Sequence, residues 1–459
     1  MSVFSLSNLK KTWYYLQKNG IRNAVWAVLE RIGQEQEVYT WQEPDEKTLS
    51  FQREHSASLR ISIIVPAYRT KKEHLEAMLN SVSRQSYPHW ELIVADAGGT
   101  AESVQAWAKK NGICLRKAAD ASNLAEWKDQ SIMLCTLSEN KGISANTNAG
   151  IELAAGDAVG LLDHDDLLTA NALWEMADCL EKEKKRGKQK LVLFSDEDKC
   201  DGAASRFYEP NFKPDFDGEL LLTNNYICHF TVIETAFLKE LKLRSGFDGA
   251  QDYDLMLRAY AAGGQFVHVP KVLYHWRCHE ASTASNPQSK RYAYEAGQRA
   301  LEDYCLRKGW KATVSGLKHL GFYREDYEDS VFCQRPEIGI WAKPLPGGRD
   351  IFGIRHPKGF LVSGLYENDG LMRYAGLRKG YSGPMHRAAL QQSAPAADLR
   401  SMEVCSALKE RYAQTIAELK EACQGLPTAA QETKILQKSM EFCKEATAAG
   451  YGILWDPQA

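Results

Sequence analysis

Short apolar runs alternate with stretches of helical periodicity in the first half of the chain. Residues 61–65, 91–95 and 158–162 are mostly apolar, which is typical of strands buried on both faces of a sheet. Between the first two runs, residues 71–85 repeat apolar side chains at the spacing of an amphipathic helix. Strand, helix and strand in this order predict an α/β fold with a doubly wound, mostly parallel sheet.

The same alternation continues along the chain. Helices are predicted at 102–111, 145–155, 172–186 and 253–262, and a further strand is predicted at 191–199. Several of the predicted strands end in acidic side chains, namely Asp96, Asp163, Asp165, Asp166, Asp196 and Asp198. Because the carboxyl ends of parallel strands lie at one edge of a sheet and ligands bind there, we expect these acids and the loop from Pro66 to Arg69 to share one rim.

The acids at 163–166 follow a buried strand within one short loop. Three carboxylates so close together repel one another, and a bound cation offsets that repulsion. Oxygen ligands suit Mg²⁺ or Mn²⁺, and such an ion would bridge a diphosphate. The alternative is a solvated acidic turn in which Asp166 or Thr169 caps the helix that begins near Ala170.

Two other segments are candidates for ligand contacts. Asp252 stands at the head of the helix predicted at 253–262, where a carboxylate serves as a general base, as a helix cap, or as both. The loop before helix 145–155 is rich in glycine and asparagine. Gly142 there permits close backbone approach, and the helix start offers free N–H groups to an anion. A capping loop without a ligand would have a similar sequence.

Composition narrows the class of protein. The chain has 459 residues, 44% of them hydrophobic and 25% charged, with a net charge of −2, which is typical of a large soluble domain with smaller appendages. The 11 cysteines lack paired metal-ligand spacing and indicate a reducing cytosol. We expect no nucleic-acid partner, because the basic run at 182–190 is typical of an exposed helix end. No membrane-spanning or signal segment is expected.

The amino-terminal region predicts two short amphipathic helices between residues 5 and 33. They carry five basic residues and one acidic residue, together with Trp13 and Trp26, so they either rest on an anionic membrane surface or pack as a helical hairpin on the main domain. Residues 34–58 are polar and acidic, and a linker is predicted there.

From residue 62 to about residue 285 the chain resembles the family 2 glycosyltransferases, of the type found in bacterial surface polysaccharide synthesis. The segments that carry the resemblance stand in the family's order: IIVPAYRT, ELIVADAGGT, NKGISANTNAG, GLLDHDDLL, LVLFSDEDK, FKPDF with LLTNNYICH, GAQDYDLMLRA, and YHWRCHEASTAS. The resemblance implies the GT-A fold, a UDP- or dTDP-linked sugar donor, a glycan or lipid-linked acceptor, and Mn²⁺ or Mg²⁺. It also implies a cytoplasmic protein, at the inner face of the membrane if the amino-terminal helices contact it.

The resemblance also implies roles for particular residues. Asp252 matches the catalytic base, Asp165 the metal ligand and His279 a further metal or diphosphate contact, for which His275 is the second choice. Nucleotide-sugar contacts are implied for Pro66, Tyr68, Asp96, Asn148, Asp163 and His164. Acceptor or diphosphate contacts are implied for Asp196, Asp198, Gln251, His275, Arg277 and Ser282.

Some positions depart from the family pattern. Ala97 and Gly99 replace the usual Asp and Ser, Thr147 replaces a basic residue, and Gln251 replaces Glu before the base. We find no QxxRW element, which speaks against synthesis of long chains by this protein alone.

The last third of the chain has a different pattern of apolar and polar residues. Segments EIGIWA and GFLVSGLY predict strands, and helices are predicted at 397–422 and 431–449. Residues 448–457 align without gaps on 261–270, which suggests a degenerate half of a second transferase domain, or a chance similarity. We therefore divide the chain into 1–58 (amino-terminal helices and linker), 59–315 (the transferase domain) and 316–459 (an extension that does no chemistry).

Two other classes of protein remain as alternatives. Aspartate-nucleophile phosphohydrolases also place an acidic-X-acidic motif after a buried strand, but they would leave Asp96 and Asp252 unexplained. A catalytically inactive scaffold that binds nucleotide sugars would keep the same binding residues and show no turnover.

Overall fold

The computed structural model describes residues 39–119, 128–278, 291–316, 321–342, 402–422 and 448–455, with single helical positions between 438 and 446. The chain divides into two compact units. One comprises the described residues of Val38–Tyr304, and the other comprises the described residues of Cys305–Ala459. The amino-terminal helices predicted at 5–33 lie outside the described residues.

The first unit is built on a ten-stranded sheet. Its strands are β1 (Ile61–Ala67), β2 (Trp90–Asp96), β3 (Cys114–Lys117), β4 (Ser131–Thr136), β5 (Ala158–Leu161), β6 (Leu167–Leu168), β7 (Leu191–Cys200), β8 (Phe207–Asn211), β9 (Thr231–Glu234) and β10 (Gln265–Arg277). The strand order is β3-β4-β2-β1-β5-β9-β7-β10-β6, and β8 pairs with β7.

The sheet is mixed but mostly parallel, which confirms the predicted α/β class. Strands β3, β4, β2, β1 and β5 pair in parallel, as do β7 and β10. The inserted strand β9 runs antiparallel to both β5 and β7. The predicted strands are fully buried runs because helices cover them; β2, for example, is buried at every position.

Helices surround the sheet. They are α1 (Glu46–Glu54), α2 (Lys72–Ser83), α3 (Ala101–Asn111), α4 (Ile143–Leu153), α5 (Ala172–Lys185), α6 (Gly218–Thr223), α7 (Thr235–Leu241), α8 (Gln251–Ala261) and α9 (Arg291–Lys308). Their apolar faces pack on the sheet: α2 buries Leu75, Met78, Leu79 and Val82 in the core that also contains strands β1 and β2.

Two local predictions need correction. The segment 34–58 was predicted to be a linker, but Glu46–Glu54 forms α1, since Asp45 caps it by accepting from the backbone N–H of Thr48 at 2.8 Å. The helix after the acidic loop begins at Ala172, with Asn171 as its cap residue, so neither Asp166 nor Thr169 is its N-cap.

The second unit contains short elements. Strands β11 (Ala312–Gly316) and β12 (Tyr323–Tyr327) form an antiparallel pair. Strand β13 (Ile338–Ala342) pairs with β14 (Met402–Val404) and with β15 (Gly452–Trp455), and the helices are α10 (Val331–Gln334), α11 (Ser406–Arg411) and α12 (Ala413–Ala422). The strand predicted in EIGIWA is β13. The strand predicted in GFLVSGLY falls outside the described residues.

Candidate functional site

The ends of three strands, β1, β2 and β5, meet at one rim of the sheet. The register of β1 on β2 pairs Ala67 with Asp96, and that of β1 on β5 pairs Ile64 with Leu161. Asp163 follows two residues after the end of β5. Parallel pairing therefore brings Asp96 and the acidic loop to the same edge.

Asp96 organises the loop that follows β2. Its carboxylate is 2% exposed and accepts from the backbone N–H groups of Gly98 (3.1 Å), Thr100 (3.2 Å) and Ala101 (2.9 Å). These are the first groups of α3 and its turn, so the carboxylate also stabilises that helix start. This role in the protein's own backbone was not predicted from the sequence.

The loop after β1 lies against the Asp96 loop. The N–H of Arg69 donates to the carbonyl of Gly98 at 3.0 Å, and a Cβ added at Gly98 would lie 3.7 Å from the ring of Tyr68. Tyr68 is 40% exposed, whereas Pro66 is half-buried within β1. An exposed aromatic ring beside Asp96 is available to a planar ligand.

In the acidic loop, Asp166 is internal. It accepts from the Tyr274 hydroxyl at 2.6 Å and from the backbone N–H of Arg277 at 2.7 Å. Burial raises the pKa of its carboxyl well above the ordinary value, and the charges of Asp163 and Asp165 act in the same direction. Asp166 thus joins the acidic loop to β10.

Asp163 and Asp165 are half-buried on the same loop, with His164 between them. Burial raises the pKa of Asp163, and the negative charges of Asp165 and Asp252 raise it further. His164 Nδ1 lies 3.9 Å from Asp165 Oδ1. Asp252 affects the pKa of Asp163 although it lies 89 positions later in the chain, at the start of α8.

Asp252 is held by a residue that the sequence did not single out. The side-chain amide of Asn225 donates to Asp252 Oδ2 at 3.0 Å, and the Tyr253 N–H donates to Oδ1 at 2.8 Å. The cap residue of α8 is Ala250, so Asp252 is not the N-cap. Burial and the Asp252 charge keep the pKa of the Cys228 thiol well above its usual range. Asp252 therefore faces two polar groups of one loop.

That loop contains a buried ion cluster. His229 donates its backbone N–H to Glu197 Oε2 at 2.7 Å, and its Nδ1 lies 3.3 Å from the same oxygen. The ammonium of Lys213, fully buried, donates to the carbonyls of Ile227 (2.8 Å) and His229 (2.6 Å). Although burial raises the pKa of Glu197, Lys213 and His229 lower it to about 2. The sequence did not predict this cluster, because Lys213 and His229 are single polar residues within the segments FKPDF and NNYICH.

Several predicted contacts are instead engaged inside the protein. Asn148 exchanges two hydrogen bonds with the backbone of Leu243, at 2.8 and 2.9 Å. The backbone N–H of Ser144, in the first turn of α4, donates to Asp248 Oδ1 at 3.3 Å. The anion at that helix start is therefore a carboxylate of the chain itself, which corresponds to the capping alternative.

The strand acids Asp196 and Asp198 are both fully buried, which does not support direct contact with an acceptor. Asp196 Oδ1 accepts from the backbone N–H of Lys213 at 2.8 Å and lies 2.9 Å from His268 Nε2. Asp198 Oδ1 lies 2.5 Å from His275 Nδ1, and its Oδ2 accepts from the Tyr39 hydroxyl at 2.8 Å. The two acids act as internal hydrogen-bond acceptors.

His275 and Arg277 are also internal. His275 is 3% exposed, and its ring lies 5.0 Å from Trp41 and 4.3 Å from Phe207, between ring centroids. Arg277 is 2% exposed and donates from Nε to the carbonyl of Asp165 at 2.5 Å. This arrangement does not support His275 as a metal contact, and it makes Arg277 a support of the acidic loop.

Three predicted residues remain to be placed. Gln251 is half-buried, and its Oε1 accepts from the N–H of Gly249 at 2.8 Å. His279 and Ser282 lie outside the described residues.

Asp163 and Asp165 are the candidate metal ligands among the described residues. Among the described residues, no group of three or more His, Cys, Asp or Glu side chains is arranged to hold an ion. Asp163 and Asp165 offer two carboxylates on one loop, and burial raises the pKa of Asp163, with the negative charge of Asp165 acting in the same direction. Mg²⁺ commonly takes one or two carboxylates and completes its coordination with substrate phosphates and water, so the pair fits an ion that arrives with a diphosphate.

Comparison with known proteins identifies one domain of the chain. Residues 62–241 match the profile described as Glycosyl transferase family 2. The uncharacterized protein y4gI of Sinorhizobium fredii is 36% identical over 255 residues, which cover 55% of this chain and 26% of that protein. The O-antigen biosynthesis protein RfbC of Myxococcus xanthus is 34% identical over 256 residues, which cover 56% of this chain and 19% of that protein. The chain thus spans about a quarter or less of the length of these relatives.

Among solved structures, S. aureus TarS 1-349 in complex with UDP-GlcNAc is 20% identical and superposes with a TM-score of 0.41. The superposition covers 54% of this chain and 67% of that chain. The family match at residues 62–241 coincides with the strands that form the parallel half of the sheet and carry Asp96 and the acidic loop. Residues 62–241 are thus a family 2 glycosyltransferase domain, and the unit that contains them has the GT-A α/β fold.

Proposed function

We propose that this chain is an inverting, metal-dependent glycosyltransferase. It moves one sugar from a nucleotide-diphosphate donor to a glycan or lipid-linked glycan during synthesis of a surface polysaccharide. The family description and the O-antigen role in the name of one relative support glycosyl transfer in this setting. We infer a UDP- or dTDP-linked donor from the base contact assigned to Asp96.

The observation that carries the proposal is the proximity of Asp252 to the acidic loop. Asn225 donates to Asp252 at 3.0 Å, and His229 of the same loop stacks on Tyr274, whose hydroxyl accepts from the backbone N–H of Asp163 at 3.4 Å. One loop thus connects two acids that lie far apart in the sequence, and the charge of Asp252 contributes to the raised pKa of Asp163. In the proposed site, Asp163 faces the ribose and Asp165 a Mn²⁺ or Mg²⁺ ion, with His279 as a further ligand. Pro66, Tyr68 and Asp96 bound the nucleotide base.

Each group then has a step to perform. The cation, when bound, neutralises charge on the departing diphosphate. An acceptor hydroxyl has a pKa far above 7 and needs a base as it attacks the sugar carbon. Asp252 takes that proton, while Asn225 holds its Oδ2. Attack from the face opposite the leaving diphosphate inverts the anomeric centre.

The remaining regions have supporting roles in this proposal. The protein works in the cytoplasm, and its amino-terminal basic helices contact the inner face of the membrane. Among the described residues, no helix is long and apolar enough to cross a bilayer. If a chain lacking residues 1–33 is recovered with membranes as fully as the intact chain, the contact through these helices is wrong. Residues 316–459 do no chemistry and support the site, bind acceptor or mediate assembly.

A thermal-shift panel of nucleotide sugars with Mn²⁺ identifies the donor, and transfer is then measured with that donor. We expect Asp165→Ala to lower transfer by at least about 100-fold, and EDTA to have a similar effect on the intact chain, because charge on the leaving group would go unneutralised. Partly exposed Asp178, on α5, gives a control variant, Asp178→Asn, that should transfer normally. Full transfer by Asp165→Ala would exclude the metal role.

The alternative is an inactive scaffold that binds nucleotide sugars. Its expected signature is calorimetric binding of a donor with no turnover on any acceptor and no slow donor hydrolysis. The internal hydrogen bonds of Asp252 do not favour it, because a pure binding protein has no use for an acid held beside the acidic loop by a dedicated amide.

A further inference from the structure

The loop at residues 225–230 reaches both acidic groups of the site. At one end Asn225 donates to Asp252, at 3.0 Å. At the other end the positive charge of His229 lowers the pKa of Asp163 and so opposes the effect of burial there. The His229 ring also stacks on Tyr274, whose hydroxyl accepts from the backbone N–H of Asp163 at 3.4 Å and donates to Asp166 at 2.6 Å, so His229 lies beside the acidic loop.

The imidazole of His229 is held in one orientation. Nδ1 lies 3.3 Å from Glu197 Oε2, and the ring stacks on Tyr274 with 4.9 Å between centroids and 15° between planes. Lys213 fixes the backbone on either side through the carbonyls of Ile227 and His229. With Nδ1 and both flanking carbonyls engaged, the ring has little freedom to turn away.

The second ring nitrogen is available to a ligand. The His229 side chain is 27% exposed, although its partner Glu197 is only 10% exposed. No hydrogen bond joins Nε2 to any residue in the part of the chain that the structure describes. When Nδ1 faces a carboxylate and the ring is protonated, Nε2–H is a donor that needs a partner.

Charge determines which ligand suits this donor. Burial alone would lower the pKa of His229, but Glu197, Asp163 and Asp166 raise it to about 9, so the ring is an imidazolium at neutral pH. A partly exposed imidazolium makes its strongest hydrogen bonds to anionic oxygens. At this rim the proposed ligand with such oxygens is the diphosphate of the donor.

We propose that His229 binds the donor diphosphate by donating from Nε2 to a phosphate oxygen. This rests on the proposed function and adds a protein group that binds the diphosphate alongside the cation proposed at Asp165. The imidazolium keeps its proton and offsets charge on the diphosphate before and during departure of the sugar. Glu197, Lys213 and Tyr274 act through His229 and are positioning residues.

The first test measures binding of UDP and UMP to the full chain by calorimetry, with dTDP and dTMP in parallel, in Mn²⁺ and again in EDTA. We expect His229→Gln to weaken diphosphate binding by roughly 10- to 100-fold, the range for loss of a charge-assisted hydrogen bond, and to leave monophosphate binding within about threefold. In EDTA the intact chain should keep some preference for the diphosphate, and the variant should lose it.

His268 supplies a matched control. Both of its ring nitrogens face carboxylates, Asp196 at 2.9 Å and Asp215 at 3.2 Å, and its side chain is 1% exposed. His268→Gln should therefore leave the ratio of diphosphate to monophosphate affinity unchanged. An unchanged ratio in His229→Gln would overturn the proposal while the proposed function stands. If the intact chain binds none of these nucleotides, the proposed function fails and this inference fails with it.

A second measurement uses the unmodified protein and so does not depend on the folding of a variant. Exchange of the imidazole Cε1 hydrogen for deuterium proceeds through the imidazolium, and mass spectrometry of peptides measures its rate at each ring. We expect UDP to slow the exchange at His229 more than UMP does, and neither to slow it at exposed His55. Equal exchange at His229 with and without UDP, under conditions where UDP is bound, would contradict the contact.

Discussion

Buried acids at the site are held by hydrogen bonds, and these hydrogen bonds also fix segments of the backbone. Glu197 accepts two contacts from His229, while Asp166 accepts from Tyr274 and from the backbone of Arg277. Buried charges of this kind cost free energy unless they are paired and hydrogen-bonded. At the scale of the residue, some carboxylates of the site therefore stabilise the protein's own backbone, and others are proposed to face the ligand.

Asn225 provides a test at this scale. Asn225→Ala removes the amide that donates to Asp252 Oδ2, so the proposed base loses orientation, and we expect kcat to fall by roughly 10- to 100-fold with KM for the donor nearly unchanged. Neighbouring Asn224 donates to Thr223 at 3.2 Å and offers Asn224→Ala as the control. A fall in donor affinity without a fall in kcat would show that Asn225 does not act through the base.

The Glu197–His229 pair predicts a dependence of stability on pH. The pKa of His229 is raised to about 9, so its contribution is complete below about pH 6.5 and is lost as pH rises towards 9. The pKa of Glu197 is lowered to about 2, so its contribution is complete above about pH 4.3 and is lost only as pH falls towards 2. Of these two contributions to stability, only that of His229 changes between pH 6.5 and 9.

We therefore expect the Tm of the intact chain to exceed that of His229→Gln most clearly near pH 6, with the difference shrinking by pH 9. Scanning calorimetry of both proteins across this range measures it. A Tm difference that stays constant from pH 6 to pH 9 would mean that the ring is not held as an imidazolium.

The sequence shows some of these residues and not others. Asp163, Asp165 and Asp252 were predicted because each follows or begins a periodic segment, where a charge stands out from the pattern. His229, Lys213 and Asn225 were missed, since their partners lie 14 to 32 positions away and no periodicity marks them. Asp196 and Asp198 were predicted at a rim, yet strand β7 continues past them to Cys200 and buries them.

At the scale of the element, close packing of α4 on the sheet sets the position of the rim. A Cβ added at Gly150 would lie 2.7 Å from Ile64 Cγ2, so α4 approaches β1 as only glycine allows. Asn148, on the same helix, is fastened to Leu243. The helix therefore joins the parallel strands to the segment that leads into α8 and Asp252.

Gly150→Ala tests this contact. Ile64 is fully buried within β1 and cannot easily move, so we expect overpacking of about 1–3 kcal/mol, reduced by the better helix propensity of alanine. The net effect should be a Tm lower by a few degrees. Gly246 has nothing within 4 Å of an added Cβ, and Gly246→Ala should leave the Tm unchanged. An equal Tm for both variants would contradict the close approach.

Element types were largely predictable, while their pairing was not. The apolar runs at β1, β2, β5 and β7 and the helices α2 to α5 and α8 follow from hydrophobic periodicity. Strand β9 lies between β5 and β7 in the sheet but follows both of them in the sequence. Its segment has no distinctive sequence, so its position was not predicted. Helix α1 was mistaken for a linker because it is polar, and its one buried residue is Gln52.

At the scale of the whole molecule, the topology of the Val38–Tyr304 unit explains how a dispersed set of acids becomes one site. Parallel pairing directs the ends of β1, β2 and β5 to one edge, and the loop at 225–230 links that edge to the start of α8. The echo between residues 448–457 and 261–270 stays a prediction. In the described part of the second unit, Gly452–Trp455 is a strand paired in parallel with β13, as Gln265–Arg277 is with β7 in the first.

The most direct test of the account is the transfer rate of Asp252→Asn, measured with the identified donor and acceptor. The substitution keeps the size and hydrogen-bonding shape of the side chain but removes its ability to take a proton. We predict that kcat falls by about 10²- to 10⁴-fold, the usual contribution of a general base, while the Kd for UDP or dTDP changes by less than about threefold. Transfer at the unmodified rate would contradict the central claim that Asp252 is the base of this site.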